Sequence, residues 1–84
     1  MTREEWMDAA QERVVIVQEE NPEILFLPLP ALFFHFPDLY SQGRWMGEVV
    51  CLGKPDNLWN RGAIMLDSAR RATPEEIALN GIEL

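Results

Sequence analysis

Apolar and polar positions follow two different periods along this chain, and the changes of period mark its elements. Trp6, Ala10, Val14 and Val17 recur at helical spacing with Met7 beside them, which predicts an amphipathic helix opening the chain. Thr2 followed by Glu5 three residues later forms a capping box, and Glu4, Glu5 and Asp8 place carboxylates at the positive end of the helix dipole. On that helix Glu4, Glu5, Asp8, Gln11 and Glu12 face water. Where the helix stops is open: the period permits continuation to Glu20, with Asn21-Pro22 as the stop. However, Val14-Val15-Ile16-Val17 is a run of β-branched residues, which favours a strand. The strand is preferred, because it can pair with Ile24 to Leu27 in a hairpin around a Glu19–Glu23 loop.

The stretch from Ile24 to Pro37, ILFLPLPALFFHFP, dominates the middle of the chain. It holds ten apolar residues and three prolines in fourteen positions, with all four phenylalanines of the protein. Pro28 and Pro30 cannot donate ladder hydrogen bonds, so beyond Leu27 pairing is expected to end or to move to an edge. As the alternative to an edge strand, Pro30 can start a short helical turn through Ala31 to Phe36, stopped by Pro37. Asp38 to Gly43 reads as turn. Arg44 to Leu52 reads as a strand bracketed by Gly43 and Gly53, with Trp45, Gly47, Val49 and Cys51 on one face and Met46, Glu48, Val50 and Leu52 on the other. Lys54-Pro55-Asp56-Asn57 is a turn signal. Ala63 to Leu66 gives a further strand antiparallel to Arg44–Leu52. Thr73-Pro74-Glu75-Glu76 is a second capping box with proline at the first helical position, starting a helix that turns Ile77 and Leu79 inward and stops near Asn80-Gly81.

These elements define an α+β fold: an N-terminal helix, three to four short antiparallel strands and a short C-terminal helix. With 84 residues the chain is expected to form one small acidic domain over 1–84. Its core is thin at that size, yet 48% of its residues are hydrophobic. Apolar material beyond what a thin core holds ends in an interface, so self-association or a hetero-complex with a protein partner is expected. The net charge of −7 argues against direct nucleic-acid or anionic-membrane binding and permits a basic partner. Acids are concentrated at the ends: the balance is −5 over residues 1–23, zero over 24–61 and −2 over 62–84. A polar, acidic opening and a proline-broken apolar run fit neither a signal peptide nor a membrane span. With Cys51 alone there is no internal disulfide to form, so the reading is cytoplasmic.

Candidate chemistry is sparse. His35 is the one histidine, and with Asp38 and Cys51 it falls short of a zinc site. Cys51 lies in an apolar run with neither a base nor an electropositive neighbour, and reads as a small core residue. No nucleophile elbow or glycine-rich phosphate loop occurs, so no cofactor, metal or enzymatic activity is expected. Arg70-Arg71-Ala72-Thr73 has the outline of a kinase site, but the cap accounts for Thr73. The expected function is a non-enzymatic protein-binding module, such as a small phage-type inhibitor of a larger protein or nucleoprotein complex. Phe33, Phe34, Phe36, Trp45, Trp59 and Arg61 are the residue types that anchor interfaces. Glu4, Glu5 and Glu12 would carry the alternative of an acidic DNA mimic. A structural homo-oligomer is the third reading.

Overall fold

A computed structural model describes residues 1–36, 43–52 and 61–79. The order of elements is α1 (Arg3–Glu12), β1 (Ile16–Gln18), β2 (Asn21–His35), β3 (Arg44–Cys51), β4 (Arg61–Met65), a 3₁₀ turn (Leu66–Ser68), β5 (Ala69–Arg71) and α2 (Pro74–Leu79). The strands form one antiparallel sheet in the order β4-β3-β2-β1-β5. The fold is α+β, with one strand more than the upper expected count. The added strand, β5, pairs with β1 through Ile16–Arg71, Val17–Arg70 and Gln18–Ala69.

Both capping boxes form. The Thr2 hydroxyl accepts from the Glu5 N–H at 3.1 Å while the Thr2 N–H donates to the Glu5 carboxylate at 2.9 Å. Thr73 and Glu76 repeat the exchange at 3.2 and 2.8 Å. The first helix ends earlier than its period permits. Arg13 caps it in the left-handed conformation (φ 57°, ψ 46°), and Val14 and Val15 lead into β1. The buried helix residues are therefore Trp6 and Ala9, and Val17 belongs to the sheet.

The hairpin joining β1 to β2 is tighter than expected. Gln18 faces Asn21 across a two-residue Glu19-Glu20 turn, and Asn21 to Glu23 are already strand. The larger correction is β2 itself. It runs through Pro28 and Pro30 to His35, and Ala31 to His35 are strand rather than the alternative helical turn. Between Pro28–Val49 and Leu32–Gly47 the strand advances four residues while β3 advances two, so a bulge absorbs Pro30. In addition, β1 pairs with β2 only between Asn21 and Phe26. Beyond Phe26, β2 has a strand neighbour on one side only among the described residues. A bulge on a one-sided strand is where proline is tolerated in a sheet.

Register sorts the side chains onto two faces. On one lie Ile16, Phe26, Leu32, Trp45, Val49, Ile64 and Ala69, packed with Trp6 of α1 and Leu66. On the other lie Val15, Val17, Leu25, Leu27, Leu52 and Ala72, packed with Ile77 of α2. Leu79 is 86% exposed, contrary to its expected inward position, because two residues along a helix from Ile77 is the opposite side. The expected turns at 38–42 and 54–57, Lys54, Trp59 and the helix stop at Asn80-Gly81 lie outside the described residues.

Candidate interaction surface

Trp6 fixes the relation between α1 and the sheet. It has no exposed surface, and its indole occupies the space that a side chain at position 47 would need. Its Nε1–H donates to the Leu29 carbonyl at 2.9 Å, inside the β2 bulge. The bulge thus supplies the acceptor that lets tryptophan be fully buried. This anchor sets the first turn of α1 above the β2–β3 end of the sheet. Between them opens a cleft of about 1010 Å³, lined by Thr2, Arg3, Glu4, Met7, Asp8, Pro30, Leu32 and Trp45.

The aromatic residues continue this cleft to the tip of the sheet. Phe34 faces Trp45 across the β2–β3 ladder, with ring centroids 5.3 Å apart and edge-on. Phe36 meets Phe34 at 4.9 Å, nearly perpendicular. Gly43 makes room for this: an added Cβ there would lie 2.5 Å from the Phe34 ring. The guanidinium of Arg3 sits 4.6 Å from the Trp45 ring centroid, a cation–π contact that covers one side of the indole. Phe34 and Phe36 keep 46% and 64% of their surface exposed.

The expected site residues divide under this geometry. Phe34, Phe36 and Trp45 come together. Phe33 does not join them, because strand alternation sends it to the opposite face, across from Met46. It is also exposed, at 43%. Arg61 begins β4 and lies 3.8 Å from Glu48 on that same opposite face. Trp59 lies outside the described residues. Glu4 lines the cleft, whereas Glu5 is committed to the cap, where the Thr2 N–H holds its carboxyl below the ordinary range. Glu12 is exposed at the far end of α1.

Family models, curated proteins and solved structures return no match to this chain. The surface is therefore defined by its own chemistry. Arg3, Met7, Asp8, Pro30 and Leu32 belong to it and were not among the expected contact residues. Met7, 42% exposed, stands one turn after Arg3, so their i,i+4 spacing was a usable signal. Pro30 and Leu32 carried none, because their placement depends on the bulge.

The remaining polar groups are accounted for elsewhere. His35 is exposed and faces Arg44 across the ladder. Cys51 is a half-buried free thiol on β3. Among the described residues no three His, Cys, Asp or Glu side chains gather as a metal site would require. No described helix is long and apolar enough to cross a membrane. The shortest ion pair among the described residues, Arg70 with Glu76 through two hydrogen bonds of 2.8 and 2.9 Å, ties β5 to α2 on the face away from the cleft.

Proposed function

We propose that the chain is a non-enzymatic protein-binding module whose contact surface is the aromatic end of the sheet. The observation that carries this reading is the edge-on cluster of Phe34, Phe36 and Trp45, partly exposed beside an open cleft. Aromatic rings stacked on one another and left half-exposed are an interface pattern: large apolar area is held rigid, so a partner loses little side-chain entropy by docking. Arg3, Glu4 and Asp8 rim the cleft with both signs of charge, which supplies a polar border for an apolar centre. Occupation of another protein's surface by such a patch is what a small antagonist requires.

The test uses tagged protein and a native lysate, with Phe36→Ala and Phe34→Ala beside the parent. Trp45→Ala is less informative, because Trp45 also packs against the buried cluster under α1. Specific capture should be lost in the phenylalanine variants while the unfolding free energy from urea titration stays within about 0.5 kcal/mol of the parent. Equal capture by parent and variants would sink this reading.

The acidic-mimic alternative is supported by one observation, the exposed row Glu4, Asp8 and Glu12 along α1. At 1.5 Å rise per residue these carboxylates step by about 6 Å. The row is short, and Arg3 and Arg13 bracket it. Binding that collapses between low and moderate salt and fails in Glu4→Lys and Glu12→Lys would favour it over the aromatic reading.

A further inference from the structure

The two edges of the sheet are not equivalent. β5 is three residues long and carries Arg70 and Arg71, the short, charged form that blunts an edge. β4 is longer, at five residues, and carries one charged side chain, Arg61, at its start. It pairs with β3 without a bulge over five consecutive positions, from Met46–Met65 to Val50–Arg61. Its outer side has no strand neighbour among the described residues. Arg61, Gly62 and Ala63 are exposed, and a Cβ added at Gly62 would meet nothing within 4 Å. An edge of this kind presents an open row of backbone donors and acceptors, and the group that satisfies such a row is another strand.

We propose that β4 pairs antiparallel with β4 of a second copy about a two-fold axis, joining two five-stranded sheets into one. This surface is distinct from the aromatic end. Charge selects both the partner and the direction. Arg61 opens β4, and Asp67 lies just past its end, with side chains 66% and 73% exposed. Antiparallel pairing carries the Arg61 end of each copy toward the Asp67 end of the other, whereas parallel pairing would set like charges together. Their contacts within the chain, Arg61–Glu48 at 3.8 Å and Asp67–Arg44 at 4.0 Å, are long and exposed, so they compete weakly. Those same contacts leave both ends of β4 near neutral in a chain of net charge −7. The acids Glu19 and Glu20 of the β1–β2 turn and Glu23 of β2 are separated from this edge by β3. The Arg61 and Asp67 ends of two antiparallel β4 strands therefore meet as opposite rather than like charges. A two-fold pairing also consumes both edges at once, so the assembly closes as a dimer.

Sedimentation equilibrium of the intact chain from about 1 μM to about 1 mM spans the affinities expected of a short strand pairing. A monomer–dimer equilibrium is expected. Arg61→Glu and Asp67→Arg should each weaken it about ten-fold, because the two-fold axis repeats every lost pair. The double variant Arg61→Glu/Asp67→Arg should recover most of that loss. Hydrogen exchange of the β4 amides should slow as concentration rises. A monomer throughout the range overturns the proposal. So does a dimer whose β4 amides exchange equally fast at both concentrations, or a double variant no tighter than the singles. Phe36→Ala should leave the dimer intact, which separates failure here from failure of the aromatic surface.

Discussion

At position 47 the absence of a side chain is what allows the buried tryptophan. The Trp6 ring fills the space over Gly47, and it cannot swing away without exposing itself and breaking its bond to Leu29. Gly47→Ala is expected to destabilise the protein near the upper end of the roughly 1–3 kcal/mol typical of overpacking. Trp6→Phe should cost about 2 kcal/mol, part from the smaller ring and part from the Leu29 carbonyl left without its donor. The two costs should not add. A phenylalanine gives the new methyl some of the room it needs, so Gly47→Ala should cost at least about 0.5 kcal/mol less in the Trp6→Phe background. Urea unfolding of the four proteins closes the cycle, and simple additivity would contradict the packing described.

At the scale of elements, α2 shows how a six-residue helix is held. Ile77 packs against the apolar cluster of the second face, and Arg70 grips Glu76, which also accepts from the Thr73 N–H. These contacts, the Arg70 hydrogen bonds first among them, pull the Glu76 carboxyl down to about 2. A carboxyl lower in the folded than in the unfolded chain stabilises the fold fully above its unfolded value near 4.5. That contribution fades as pH falls from about 5 toward 2. Glu76→Gln should lower stability at pH 7 and flatten the pH dependence over that window, as read from denaturation midpoints at several pH values. An unchanged slope would contradict the assignment. Both caps were legible in the sequence because each works within four residues. The path of β2 was not, since tolerance of Pro28 and Pro30 depends on a bulge against β3 and on where β1 stops. The Glu19-Glu20 turn lacks the Asn and Gly chemistry that marks two-residue hairpins. β5 hid behind two arginines. Within the aromatic stretch, the exposure of the phenylalanines was legible, but assigning Ala31–Phe36 to a helical turn concealed the alternation that parts Phe33 from Phe34 and Phe36.

Across the whole molecule, one sheet separates two apolar clusters that share no buried residue. Residues 15–17 bind them together, because Ile16 enters one cluster while Val15 and Val17 enter the other, all nearly without exposed surface. The short strand to which Ile16 and Val17 belong, β1, has a neighbour on each side, β2 and β5. Its amides are therefore expected to open only with global unfolding, giving the slowest hydrogen exchange in the chain. The tip of β2–β3 carries the exposed rings and, among the described residues, has no second strand neighbour beyond Phe26, so it should exchange faster by local opening. At micromolar concentration, where strand pairing between copies is negligible, β4 should resemble that tip rather than β1. The rings of that tip are held against one another while its backbone lacks the support β1 has, so a docked partner should slow exchange there. Exchange measured at two protein concentrations tests this hierarchy directly: Ile16 and Val17 should define the slow limit at both, and the tip should stay faster at both. Equal protection of the tip and β1 would mean that the aromatic end belongs to the same cooperative unit as the core, and the surface would then be pre-formed throughout.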